Sequence, residues 1–304
     1  MGYIILIPLA IFIIVAVLSA IFAHMFTHGK RQTLEEAWQW QAEHVEAVNR
    51  FSPEMLNDYV IKGPDNEDIH VSFLPAAEPS DKYVILAHGY TDTRYGMMKY
   101  VPHYYDMGFN CVLFDERGHG ENRRFPCSYG IKEKGYLLAV IEDTLSRYGK
   151  DIILGLHGES LGGATVLTSL QEKAVKENVR FVVDDCGFAD IVPVLKVGMR
   201  QSHVPIFMLY PSMLAAWLNY GIKLWKARPI DSVPGNTIPL ICMHGAEDDF
   251  IVPDHSKRVY EATEGLKEIH LFKGAGHAAS SVVAAKEYGE VLREFLKKAG
   301  ILNQ

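Results

Sequence analysis

The sequence is poor in cysteine, and the cysteines it has are scattered. Cys111, Cys127, Cys186 and Cys242 are the four thiols in 304 residues. No two have the close spacing of a zinc or dithiol-redox site. Three fall in or beside apolar strand-like runs, where a thiol packs as a small hydrophobe, so all four read as free. The net charge is −7, with no block of lysine and arginine to offset it, which argues against nucleic acid as a main partner. No internal repeat is present, which excludes a solenoid.

Charge is missing altogether from residues 3–26, and residues 4–23 are almost wholly Ile, Leu, Val, Ala and Phe. That is about the length that crosses a bilayer as a helix. A secretory signal would carry a basic stretch before a shorter apolar core. No Lys or Arg precedes this one, so an uncleaved single-pass membrane anchor over residues 1–30 is expected. Lys30 and Arg31 favour a cytoplasmic catalytic domain by the positive-inside rule. Glu35 and Glu36 follow closely, and the side of the membrane stays open.

What remains is one domain's worth of chain, residues 31–304. Thr33 and Glu36 have capping-box spacing at the head of a helix expected over residues 33–49. Strands are expected at 57–61, 69–73, 83–87, 110–114, 152–156, 180–183, 238–243 and 268–272. Helical patterns lie between many of them, at 97–107, 132–148 and 163–175, and a last one at 281–297 closes the chain. The alternation predicts an α/β fold, a mostly parallel, doubly wound sheet covered on both faces. Residues 187–233 interrupt it with Met, Trp, Tyr, Phe and Leu and no period-two strand. They are expected to form two or three helices, a small lid over an apolar pocket.

The element around which the domain is organised is Gly158-Glu159-Ser160-Leu161-Gly162, which joins an apolar strand to a helix. In that context Gly-x-Ser-x-Gly marks a sharp turn that exposes a serine hydroxyl. The flanking glycines relieve crowding there, and the helix start directs free N–H groups at the same point.

A serine hydroxyl needs a base, and the base needs a carboxylate to orient it. His277 follows the last apolar strand on a loop that Gly274 and Gly276 let bend, and is the expected base. His119 is a lesser rival. His88, His157 and His244 each precede a glycine at a strand end and read as structural. Asp248 and Asp249 both qualify as the acid. Counting from His244-Gly245 selects Asp248, and counting back from Val252-Pro253 selects Asp249. Asp248 is preferred because the preceding strand sets the turn. Asp184 and Asp185 are a fallback. The expected oxyanion donors are the backbone N–H groups of Leu161 and Tyr90.

With His88-Gly89-Tyr90, Asp115-Glu116-Arg117-Gly118-His119-Gly120, the serine motif, His244-Gly245-Ala246-Glu247-Asp248 and Gly276-His277 in this order, the chain resembles the α/β-hydrolase fold superfamily. Within it the chain resembles the membrane-anchored, esterase-like and serine-peptidase-like bacterial hydrolases. The resemblance implies a Ser-His-Asp hydrolase with no metal and no organic cofactor but says little of the substrate, and a small-molecule carboxylic ester is the expected one. Peptide amides and acyl thioesters are alternatives for the same triad, and a non-catalytic binding scaffold is a third reading.

Overall fold

Residues Val84, Ile85, Leu86 and Ala87 are fully buried, as a continuous apolar run must be when helices cover both faces of its sheet. In the computed structural model, which describes residues 2–303, they belong to an eight-stranded sheet. Its strands are β1 (Asn57–Lys62), β2 (Asp68–Leu74), β3 (Lys82–Ala87), β4 (Asn110–Phe114), β5 (Ile153–Glu159), β6 (Val179–Asp185), β7 (Leu240–Gly245) and β8 (Lys267–Phe272). Their spatial order is β1-β2-β4-β3-β5-β6-β7-β8. The β1–β2 and β2–β4 pairs are antiparallel and every other pair is parallel. This is the α/β-hydrolase fold expected above. Met1 and Gln304, the outermost residues of the two expected segments, lie outside the described residues.

The helices are α1 (Gly2–Thr27), α2 (Leu34–His44), α3 (Val101–Tyr105), α4 (Glu133–Tyr148), α5 (Leu161–Ser169), α6 (Lys173–Asn178), α7 (Ile191–Gln201), α8 (Leu209–Tyr220), α9 (Asp254–Ala262), α10 (Ser280–Val283) and α11 (Ala285–Lys298). One sheet face buries Tyr104, Phe109, Phe181 and Phe295. The other buries Val140, Ile141, Leu154 and Val166. A third apolar cluster lies off the sheet and joins α1, α7 and α8 around Leu161.

Several boundaries differ from expectation, for local reasons. Thr33 accepts from the Glu36 N–H while Glu36 accepts from the Thr33 N–H, so the capping box starts α2. The helix ends at His44 because Val45 is extended (φ −127°, ψ 92°), and residues 46–50 form a 3-10 turn. The helix expected over 163–175 is two. It begins at Leu161, and near its end the Ser169 hydroxyl takes the Val166 carbonyl, a side-chain bond that competes with helix propagation. Helix α9 was not anticipated, although its burial of His255, Ser256 and Val259 has helical spacing. The closing helix is broken at Ala284 (φ −124°, ψ 41°).

Helix α1 is long and apolar enough to cross a membrane over Ile7–Thr27. Its last turns are not free. Ser19, Ala23 and Thr27 form an i, i+4, i+8 stripe buried against the domain. The chain that follows is held by hydrogen bonds. The Tyr90 and Tyr129 hydroxyls donate to the Phe26 carbonyl at 2.9 and 2.5 Å, and Gly29 N–H donates to Tyr90 Oη at 2.6 Å. Cys127 N–H donates to the Thr27 carbonyl, and the Arg31 guanidinium donates to the Gly118 and Phe125 carbonyls. The chain on either side of the boundary expected at 30/31 is therefore bonded to two loops of the α/β domain, the β3–α3 loop and the β4–α4 loop.

Candidate active site

Strand β5 runs straight into α5, and Ser160 is the residue that turns the corner, at φ 53° and ψ −107°. A non-glycine side chain held there costs about 1–3 kcal/mol. The surroundings hold it: Ser160 N–H donates to the Asp185 carbonyl at 2.8 Å, and Ala164 N–H donates to the Ser160 carbonyl at 3.0 Å. A Cβ at position 158 would overlap the Gly162 carbonyl, and one at 162 would overlap that of Ala87. The two glycines are therefore required by the close approach of β3, β5 and α5.

Three separate loops meet at this corner. Ser160 Oγ lies 3.0 Å from Nε2 of His277, and Nδ1 of the same ring lies 2.7 Å from Asp248 Oδ2. A carboxylate only accepts, so Nδ1 carries the proton and Nε2 is free to accept from the serine. Asp248 Oδ1 takes the backbone N–H groups of Phe250 and Ile251 at 3.0 and 2.9 Å, and Oδ2 sits 3.2 Å from His244 Nε2. Burial alone would raise this carboxyl. The hydrogen bonds from His244 and His277 outweigh it and hold the carboxyl well below the usual range.

The other candidates lie elsewhere. Asp249 is exposed, and its carboxylate makes no hydrogen bond among the described residues. Asp184 and Asp185 are buried beneath the corner, not against His277. His119 Nδ1 sits 3.0 Å from the Arg117 carbonyl, with the ring edge-on to Tyr90 and His88. His88 is held between the Gly89 carbonyl and the Glu116 N–H, His157 between the hydroxyls of Tyr104 and Tyr288, and His244 between Ser256 and the Ile251 carbonyl. The backbone N–H groups of Leu161 and Tyr90 have no hydrogen-bond partner among the described residues.

A buried polar assembly behind the corner was not legible in advance. Lys99 Nζ lies 2.5 Å from Glu159 Oε2 and donates to the Ala278 carbonyl at 3.1 Å. One lysine thus joins the residue before Ser160 to the residue after His277. Burial would lower this ammonium, but Glu159 and its neighbours outweigh that and raise it. The Tyr100 hydroxyl stands 2.5 Å from Glu159 Oε2 and 2.9 Å from Asp185 Oδ2, and Tyr288 donates to the same Asp185 oxygen at 2.8 Å. Burial pushes the Asp185 carboxyl up to about 6 and that of Asp184 up to about 7. A lone lysine 60 positions from its carboxylate leaves no local pattern to read.

One group of potential metal donors lies here, Cys186 with Asp248 and His277, their ligand atoms within 4.8 Å of one another. Burial raises the Cys186 thiol well above its ordinary value, and Asp248 and His277 are already bonded to each other. The donor set is better fitted to passing a proton than to gripping a cation.

In front of Ser160 is a cavity of about 220 Å3. Phe188, Leu195 and Met199 line it from the insert, Leu161 and Ile251 from the domain, and Phe22, Met25 and Phe26 from α1. A cavity of about 150 Å3 is enough for a benzene ring, so this one has room for an acyl group.

Ser160, at a strand–helix corner, is thus bonded in series to His277 and Asp248, which come from later strand ends of a mostly parallel sheet. The chain has the α/β-hydrolase fold, and a family profile for the alpha/beta hydrolase fold matches residues 82–203. Among curated proteins it is similar to the uncharacterised protein YqkD of Bacillus subtilis, 25% identical over 285 residues and 93% of each chain. YfhR of Escherichia coli K12, also uncharacterised, is 26% identical over 73% of this chain and 72% of its own. Among solved structures, Pyrococcus furiosus esterase Pf2001 superposes with a TM-score of 0.67 at 22% identity, over 82% of this chain and 94% of its own.

Proposed function

We propose that this chain is a serine hydrolase that cleaves a carboxylic ester through an acyl-enzyme, held to a membrane by α1. Ser160 Oγ attacks the acyl carbonyl while His277 Nε2 takes its proton. The C–O bond to the alcohol breaks as His277 returns that proton to the leaving oxygen. Water then adds to the acyl-serine with the same base, and the acid and free serine are released. Asp248 keeps Nδ1 protonated and stabilises the imidazolium formed in each half. The N–H groups of Leu161 and Tyr90 bind the oxyanion, each such donor being worth about 3 kcal/mol.

The observation that carries the reading is the unbroken series from Ser160 through His277 to Asp248 at the mouth of an apolar cavity. The solved esterases of the same fold support the reaction class. The anchor, retained and uncleaved, is supported by the hydrogen bonds that its end makes to Tyr90 and Tyr129. Helices α7 and α8 act as the lid. The test is labelling by a fluorophosphonate probe. Wild type is expected to label and Ser160→Ala not to; equal labelling of both overturns the assignment.

A further inference from the structure

The two longest stretches of this chain without Asp, Glu, Lys or Arg are residues 1–29 and residues 201–222. The first contains α1 and the second α8, and the two helices pack against each other. Their carboxyl ends meet, with His24 Nδ1 3.1 Å from Tyr220 Oη. Just beyond that contact both turn basic, at Lys30 and Arg31 in one and at Lys223 and Lys226 in the other. Trp217 and Trp225 stand edge to face at the same end, with the Lys223 ammonium over the Trp217 ring. A charge-free helix that ends in aromatic and basic residues is the pattern of a segment leaving hydrocarbon for the interface. The outward side chains of the insert fit that solvent: Phe207 is 67% exposed, Tyr210 61% and Leu218 69%. Such a patch on a water-facing lid would be an aggregation liability.

The cavity in front of Ser160 lies between α1 and α7, the neighbour of α8 in the insert. Phe22, Met25 and Phe26 of α1 face Leu195 and Met199 of α7 across it, and Met25, which lines it, is also 55% exposed. We propose that the end of the anchor helix is a wall of the substrate site, and that the site takes the acyl chain of a lipid directly from the bilayer. This deepens the ester-hydrolase reading and rests on it for the reaction. α1 and α8 enter the membrane together, and the acyl chain passes between α1 and α7 to bring its carbonyl to Ser160. Phe22 and Met199 set how much chain fits.

The test uses the full chain in phosphatidylcholine nanodiscs. For wild type, Phe22→Trp and Phe22→Ala, kcat/KM is measured on p-nitrophenyl palmitate and p-nitrophenyl acetate. Fluorophosphonate labelling of each variant reports a folded site. Filling the cavity with Trp is expected to lower the palmitate-to-acetate ratio by about tenfold or more, and opening it with Ala to shift the preference toward longer chains. Ratios unchanged in both variants overturn the proposal while leaving the ester reading intact. A second arm needs no turnover: binding of cis-parinaric acid to Ser160→Ala, expected to be lost on adding Phe22→Trp. If that loss is seen although no ester is cleaved by wild type, the acyl site stands and the ester reading falls. If binding survives Phe22→Trp, the acyl site at the anchor falls.

Discussion

Ser160 stands between two regions of opposite character. Behind it, Lys99, Glu159, Tyr100, Asp185 and Tyr288 form a buried, hydrogen-bonded assembly between the sheet and its covering helices. In front of it, the end of α1 and the helices α7 and α8 form an apolar cluster with few polar atoms. The polar side is made of directional bonds with donor–acceptor distances of 2.5–3.1 Å. It can therefore hold Ser160 and His277 to within the tolerance that proton transfer demands. The apolar side is non-directional, so it can accept chains of differing length. In the proposed reaction, one region would locate the reacting atoms and the other would receive the substrate.

The largest expected effect comes from the hydrogen bond that orients His277 between the two regions. Asp248→Asn reverses the hydrogen-bonding demand on His277 Nδ1 and is predicted to lower kcat by about 10^3–10^4. Asp249→Asn, on an exposed carboxylate, should change kcat by no more than about threefold. Steady-state ester hydrolysis separates them, and a large loss at Asp249 with little at Asp248 would reverse the choice of acid.

Within the polar region, Lys99→Met leaves Glu159 buried without its cation, which typically costs about 3–5 kcal/mol. A lower melting temperature and a lower kcat are expected together, because the Ser160 and His277 loops lose their common tether. Adding Glu159→Gln removes the orphaned charge and should restore much of the melting temperature. If the double variant is as unstable as the single one, the ion pair is not what joins those loops.

Asp184 sharpens the comparison through pH. The folded chain holds this proton up to about pH 7, against an ordinary value of 3.8, because the carboxyl is buried. The unfolded chain releases it lower, so the folded state binds more protons across this window and loses stability as pH rises through it. At 1.36 kcal/mol per pH unit, the loss is roughly 4 kcal/mol by pH 8. Asp184→Asn should flatten that decline, melting higher than wild type at pH 8 with little difference at pH 4. An unchanged pH profile in thermal unfolding would contradict it.

The smallest effect is on the apolar side. Tyr90→Phe removes the hydroxyl bonded to the Phe26 carbonyl and the Gly29 N–H, worth about 1 kcal/mol per bond. A melting-temperature loss of a few degrees is expected. A variant as stable as wild type would mean that the end of α1 is not held there.

The parts of this molecule that the sequence reveals are those under a backbone constraint. Ser160 is found because only glycine fits at 158 and 162. Asp248 and His277 are found because each follows a short apolar strand by a fixed turn. The strands β2 to β7 are legible because each is a short run that is largely buried, while the edge strands β1 and β8 bury one residue each. The assembly around Lys99 is not, because its members are brought together from residues 99, 100, 159, 185 and 288 by the fold alone. The role of α1 in the cavity is hidden differently. Hydropathy reports that residues 7–27 can cross a membrane, and says nothing of Phe22 and Phe26 turning toward Ser160's pocket. The helix Asp254–Ala262 is hard to read because only His255, Ser256 and Val259 of its nine residues are buried.

The most direct measurement of the central claim is a stopped-flow burst with p-nitrophenyl acetate, quenched and followed by mass spectrometry of the digested chain. A pre-steady-state release of about one nitrophenol per chain, with the acetyl group on the peptide containing Ser160 and none in Ser160→Ala, is the predicted result. An acyl group on another residue, or turnover that persists in Ser160→Ala, would contradict it.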